Sequence, residues 1–352
     1  VAIQTRGAWR SWLTGGILFV AAFVILFMVP VPYYIVQPGS ALEVRPMIQV
    51  EDASNHEKGT FYMTTVSMRE GNVVGYLASQ VDSRLELVPK KDVLGQNGDP
   101  KRYQHVQEEI MRQSQYNAVL AAYREAGRPV EEKLLGVEVF RVLDGMPAAK
   151  VLKQGDIIQE ADDRKIESAE ELLAYLADKK PGERVRLVIS RGGDKKEQEL
   201  ELASLAKSGG EDRPGIGIEP VTLRRVEAQP KVTIHADEIG GPSAGLMFSL
   251  EILNQLGDQD LTDGLRVAGT GTISPEGKVG QIGGIQHKIL AAEKENADIF
   301  FVPADQGEQD SNEKKAKTTA RKIGSDMAIV PVRTLKEAVQ YLKEQEVAGR
   351  AS

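Results

Sequence analysis

The sequence predicts an α+β protein in which an N-terminal transmembrane helix precedes two folded domains, and three observations carry that reading. No charged residue occurs between Ser11 and Leu42, a gap without equal in the chain. Behind it, two stretches alternate β-branched runs with helical periodicity, and the polar segment Ser208–Pro214 separates them. Within the second stretch, two glycine-rich turns each open a helix, one at Ser243 and one just before Lys288.

The N-terminal segment comes first. A helix needs about 20 apolar residues to cross the hydrocarbon layer, and the run from Trp12 to Val31 supplies that length. Arg6 and Arg10 precede the run, and Glu43 is the first charge after it. The positive-inside bias therefore predicts residues 1–10 in the cytoplasm, a single transmembrane helix over 11–36 and the rest of the chain outside the cell membrane. Trp12 at one end and Tyr33 and Tyr34 at the other fit an interfacial aromatic belt. A cleaved signal peptide is the competing reading, but Pro30-x-Pro32 and Tyr33-Tyr34-Ile35 lack a small-x-small cleavage pattern.

Residues 37–130 are predicted as an extracellular region. Thr60–Val66 is rich in aromatic and β-branched residues and predicts a strand. The stretch 104–126 predicts one long helix, ended by Gly127 and Pro129. No catalytic motif is visible there.

In 131–206 the pattern changes. Gly136–Val142 alternates as a strand, Gly155-Asp156-Ile157-Ile158 starts another, Ser168 caps a helix running to Ala177, and Arg184–Ser190 is a third strand. Gly136-Val137-Glu138-Val139, Gly145-Met146-Pro147-Ala148-Ala149 and Leu152-Lys153-Gln154-Gly155-Asp156-Ile157-Ile158, followed by that helix, resemble a PDZ domain. Such a domain adds a peptide as an extra strand beside a helix and holds a terminal carboxylate on backbone amides. The resemblance implies a capture loop at Leu134, Leu135, Gly136 and Val137.

After a linker at 207–214, the segment 215–345 is predicted as a compact α+β domain. Its densest signal is Ile239-Gly240-Gly241-Pro242-Ser243-Ala244-Gly245-Leu246-Met247, where a strand turns into a helix with a Leu246, Leu250, Leu253, Leu256 stripe. A serine at such a turn has an exposed hydroxyl and unpaired neighbouring amides, which suit either an oxyanion site or a plain helix cap. The second signal is Gly283-Gly284-Ile285-Gln286-His287-Lys288-Ile289. Lys288 sits beside the stripe of Ile285, Ile289 and Ala292, and burial among such residues disfavours the cation and leaves an amine able to act as a base.

Gly241-Pro242-Ser243-Ala244-Gly245, Ala268-Gly269-Thr270-Gly271-Thr272-Ile273 and Gly283-Gly284-Ile285-Gln286-His287-Lys288 resemble, in order and spacing, the proteolytic domain of Lon proteases. With the anchor and the PDZ domain, the chain resembles the Lon-like, PDZ-containing proteases on the outer membrane face of Gram-positive bacteria. The resemblance implies a fold of the ribosomal protein S5 domain 2-like type and a serine endopeptidase. Ser243 would be the nucleophile and Lys288 the general base, with Thr270 orienting the lysine and Gly241, Pro242 and Ala244 shaping the turn. It implies a peptide or protein substrate, membrane attachment through the N-terminal helix and, since related domains form rings, a homo-oligomer. Residues 37–130 would then supply the first part of the protease fold, with the PDZ domain inserted in it.

Two departures from the family stand out. There is no Gly-x-x-x-x-Gly-Lys-Ser/Thr loop, so no ATP is expected to be used. The family often has an acidic residue before its Gly-Pro-Ser; this chain has Gly240, with Asp237 and Glu238 upstream, leaving open which carboxylate lines the site.

Composition narrows the field further. A net charge of −7 and a pI near 5.4 argue against a nucleic-acid partner. The absence of cysteine removes disulfides, zinc fingers and thiol nucleophiles. His56, His105, His235 and His287 show no paired metal-ligand spacing, so neither metal nor other cofactor is expected. Two rivals stay open: an inert scaffold that only binds peptides, and a Ser-His hydrolase using His235 or His287.

Overall fold

The computed structural model describes residues 5–53, 58–95, 98–207, 210–236 and 239–350. The chain divides into two units, the first built from Val1–Pro129 and Ala228–Ser352, the second from Val130–Glu227. The first half of unit 1 holds α1 (Thr5–Met28), β1 (Pro30–Glu43), β2 (Ile48–Val50), β3 (Thr60–Asn72), α2 (Val73–Ser79), β4 (Glu86–Pro89), α3 (Lys90–Leu94) and α4 (Pro100–Glu125). Unit 2 holds β5 (Val130–Val142), β6 (Ile157–Ala161), β7 (Arg164–Lys165), α5 (Ala169–Ala177), β8 (Arg184–Arg191), β9 (Asp194–Glu201), β10 (Ala203–Lys207), β11 (Gly210–Gly215) and β12 (Ile218–Ala228). The second half of unit 1 adds β13 (Val232–Ile234), α6 (Gly245–Leu256), β14 (Arg266–Gly269), β15 (Thr272–Ile273), β16 (Val279–Gly280), α7 (Ile285–Lys294), β17 (Ile299–Pro303), α8 (Asn312–Ile323), β18 (Ala328–Val332) and α9 (Leu335–Arg350).

Unit 1 is organised on a six-stranded sheet of order β18-β17-β14-β3-β1-β4. β18, β17, β14 and β3 run parallel, and β1 and β4 complete it antiparallel. The two halves of the chain interleave, because β14 lies between β17 and β3. All five residues of β17 are buried, as expected of a central strand with helices on both faces. Phe300 packs with Ile285 and Ile289 of α7 and Ala316 of α8, while the next residue, Phe301, points the other way and meets Tyr341 of α9 edge-on at 5.9 Å. α4 begins at Pro100 rather than 104, since Asp99 accepts a hydrogen bond from Lys101 N (3.0 Å) and the proline suits the first helical position.

The expected transmembrane helix over 11–36 is corrected. Among the described residues no helix is long and apolar enough to cross a membrane. α1 ends at Met28, and Pro30-x-Pro32 turns the chain into β1, whose residues Tyr33–Val36 pair with β4 and whose Tyr34 and Ile35 are buried in the core. The apolar residues after position 30 belong to the sheet.

Unit 2 carries a sheet of order β12-β5-β6-β8-β9 around a core that includes Val137, Val139, Ile158, Leu172 and Leu187. Ser168 caps α5 by accepting from Glu171 N (3.2 Å). The expected linker at 207–214 is also corrected: β10 and β11 form an antiparallel pair there, with Leu205 opposite Arg213, although 208–209 lie outside the described residues. β12 joins the sheet beside β5, so unit 2 extends to Glu227 instead of ending at 206, and the second half of unit 1 starts at Ala228 instead of 215. The strands by which the chain enters and leaves unit 2 are thus neighbours, tied by Arg224–Glu132 (3.3 Å) and Lys133–Glu227 (2.5 Å) ion pairs. Adjacent ends are what an insertion requires.

Candidate active site

Ser243 lies in the turn before α6, and Lys288 lies in the first turn of α7. The structure brings them together: Lys288 Nζ is 2.9 Å from Ser243 Oγ, in hydrogen-bond contact. Lys288 is 2% exposed, and burial pushes its ammonium down to about 7. Its second partner is the Thr64 carbonyl, to which Nζ donates at 2.6 Å. Thr64 belongs to β3, in the region where the sequence showed no motif.

Thr270 is fully buried, but its expected bond to the lysine is not observed. The Thr270 hydroxyl donates to the Ser243 carbonyl at 3.0 Å, and its amide donates to Phe301 O at 3.0 Å. These bonds fix it between β17 and the serine turn, so its hydroxyl supports the serine's backbone and the lysine relies on Thr64. Gly271 N also donates to the Ser243 carbonyl, at 2.9 Å. Gly241 N donates to Gln107 O of α4 at 3.2 Å, and the Pro242 carbonyl accepts from Ser114 Oγ at 3.0 Å. Ser114 and Gln107, like Thr64, were not anticipated.

The stripe expected on α6 is broader than four leucines. Residues Gly245–Ile252 are all buried, with Leu253 and Leu256 half-buried, because α6 packs against α4 and α9 as well as the sheet. Neither histidine of the rival reading bonds Ser243 among the described residues. His287 is buried with Nε2 at 3.2 Å from Glu86 Oε2, and His235 is exposed. Asp237 and Glu238 lie outside the described residues.

The pair opens into a cleft of ≈ 800 Å³. Val36, Leu42, Met63, Met68, Met111 and Ile282 give it apolar walls, and Lys288 is the one amine or carboxylate among its described lining residues. β14 pairs with β3 only as far as Met63, so beyond that point this side of β3 has no strand partner among the described residues, and Thr65, Val66 and Met68 border the cleft.

In unit 2 the expected capture loop fails a geometric requirement. Strand addition needs an unpaired edge, and β5, which contains Leu134, Leu135, Gly136 and Val137, lies between β12 and β6. Val137 is fully buried and pairs with Ile158, and a Cβ at Gly136 would stand 2.5 Å from Ile158 O, so this glycine serves strand packing. The outer strand on that side is β12. Thr222 on it accepts from Ala169 N at the start of α5 (3.0 Å), and Gly217, just before it, has a positive φ of 84°.

Comparison with known proteins finds two families, with bounds that differ from those of the two units. The family described as the Lon protease (S16) C-terminal proteolytic domain matches residues 222–344, and the PDZ domain family matches 110–202. The chain carries a Lon-type (S16) proteolytic domain and a PDZ domain. The Lon protease of Neorickettsia sennetsu is 35% identical over 106 residues, 30% of this chain and 12% of that protein. That of Metamycoplasma arthritidis is 34% identical over 128 residues, 36% of this chain and 14% of that protein. The chain therefore matches only a small part of these relatives' length. The crystal structure of the PDZ domain of an SdrC-like protein from Listeria monocytogenes is 37% identical, covering 24% of this chain and 87% of that one, with a TM-score of 0.23. The matched Lon-type stretch is also only part of unit 1, for β1, β3 and α4 precede it and line the same cleft.

Proposed function

We propose that the chain is a serine endopeptidase in which Ser243 is the nucleophile and Lys288 the general base. One observation carries the reading: an amine that is 2% exposed, with burial favouring its neutral form, is in hydrogen-bond contact with a serine hydroxyl at 2.9 Å. Neutral Lys288 takes the Ser243 proton as Oγ attacks the peptide carbonyl. The oxyanion is held by N–H groups of the serine turn, and the ammonium then returns the proton to the leaving amine. Water, deprotonated by the same amine, cleaves the acyl ester and regenerates the serine. An inert scaffold would have no use for a desolvated amine against a hydroxyl, which costs stability.

The substrate is a flexible peptide or protein segment with apolar side chains around the cleaved bond. It would lie as an added strand along the open side of β3 at Thr65–Met68, with its side chains against Leu42, Met63 and Met111. In this reading hydrolysis is ATP-independent, since Ser243, Lys288 and water suffice to cleave a peptide bond in a flexible segment. The PDZ domain recruits or gates substrate, through the outer edge of β12 next to α5. The place of action is a membrane surface, supported by the exposed Trp12, Phe19 and Phe23 of α1.

A fluorophosphonate probe and a peptide mixture read by mass spectrometry test the catalytic claim. Wild type should be labelled and should cleave, while Ser243→Ala and Lys288→Ala should do neither. Cleavage retained by Ser243→Ala would refute it.

A further inference from the structure

We propose that Ser114 of α4 is a positioning residue that aims the N–H groups of Ser243 and Ala244 at the oxyanion; the inference rests on the Ser243–Lys288 reading. A trans peptide is planar, with its N–H directed opposite its C=O, so fixing a carbonyl fixes the following amide. The Pro242 carbonyl is held by Ser114 Oγ at 3.0 Å, which turns the Ser243 N–H the other way. The Ser243 carbonyl is held by Gly271 N at 2.9 Å and Thr270 Oγ1 at 3.0 Å, which does the same for the Ala244 N–H. Among the described residues neither N–H has a protein acceptor, and Ser243 and Ala244 both line the cleft beside Oγ. Two adjacent amides next to the attacking oxygen form the arrangement that stabilises a tetrahedral intermediate.

The bond made by Ser114 is a selective one. A buried helical serine can return its hydroxyl to the carbonyl four residues earlier, as Ser249 does with Gly245 O at 2.9 Å. Ser114, 3% exposed, bonds a carbonyl 128 residues away in sequence. The approach it needs also constrains Gly245, where a Cβ would stand 2.9 Å from Ser114 Oγ and 2.7 Å from Ile273 Cγ2. About two turns earlier on α4, the Gln107 carbonyl accepts from Gly241 N, so the same helix clamps the turn at two points. Ser114 thereby presents the backbone of the serine turn to the substrate from a buried position outside the cleft lining.

The test uses the full chain, a fluorogenic peptide and a peptide boronic acid, which becomes tetrahedral on a serine. Ser114→Ala should lower kcat about 10- to 100-fold with KM nearly unchanged, and boronate affinity should fall by about the same factor as kcat. Ser114→Thr, which keeps the hydroxyl, should retain kcat. If Ser114→Ala does not fold, Ser114→Cys, similar in size with a weak donor, should show the same loss. Unchanged kcat in the variant lacking the hydroxyl, or equal changes in KM and boronate affinity, would overturn the proposal. Activity retained by Ser243→Ala would instead overturn the nucleophile assignment beneath it.

Discussion

Lys288 Nζ sits 2.6 Å from the main-chain carbonyl of Thr64, so the amine of one half of unit 1 is held by a strand of the other. The carbonyl accepts from either protonation state and leaves the amine's orientation independent of pH. What pH changes is the charge.

Activity should therefore follow one ionisation. Burial lowers the Lys288 ammonium to about 7, so kcat/KM should rise as pH increases through that value and then level off. Lys288→Arg, which stays cationic, should lose at least about a thousandfold at every pH tested. A pH–rate profile on a neutral peptide checks both statements.

Stability should carry a separate pH signature from Glu251. This α6 carboxyl is 1% exposed and accepts from Gln255 Nε2 at 2.6 Å, while Gln255 also bonds Ile48 O and Val50 N of β2. Burial pushes it up to about 7, with the Gln255 bond and Arg45 opposing and Asp260 adding. The folded state keeps a proton that the unfolded state loses above about pH 4.5, so stability falls as pH rises from there to about 7 and is flat beyond. Glu251→Gln should remove that slope and add about 3 kcal/mol at pH 8 as an upper value, read by urea denaturation.

Unit 2 should depend on Asp156, the acid of the Gly-Asp-Ile-Ile element. Its side chain is 1% exposed, receives Arg191 through two bonds of 2.7 Å and accepts from Lys153 N at 2.8 Å. Burial works to raise its pKa, but these bonds prevail and the net direction is down. Its contribution is complete above about pH 4 and lost as pH falls further. Asp156→Ala removes the two Arg191 bonds and the Lys153 N bond and should destabilise unit 2, measured as loss of hydrogen-exchange protection in β6 and β8.

Peptide docking to unit 2 should map to its open edge. In an NMR titration with a peptide ending in an apolar residue, shifts should concentrate on Gly217–Thr222 and α5. Shifts centred on Leu134–Val137 would favour β5 instead.

The sequence revealed the side chains that meet at the site, because Ser243 and Lys288 each follow glycines that have few other uses at a helix start. It did not reveal what holds them. Thr64 contributes a carbonyl, which any residue has, and Ser114 is one serine in a long helix whose periodicity says only that it is buried. The capture loop was misplaced because a glycine among apolar residues looks alike on an inner and an outer strand; Gly215-Ile216-Gly217-Ile218 carries the same pattern and precedes the outer one. The N-terminal apolar run was continuous in composition, and only pairing with β4 shows where helix gives way to sheet.

Because β14 is wedged between β3 and β17, a nascent chain has no working cleft until its last third leaves the ribosome. For the same reason, a recombinant fragment cut at residue 222 would lack the strand that grips the lysine, and its silence in an assay would say nothing about the intact protein.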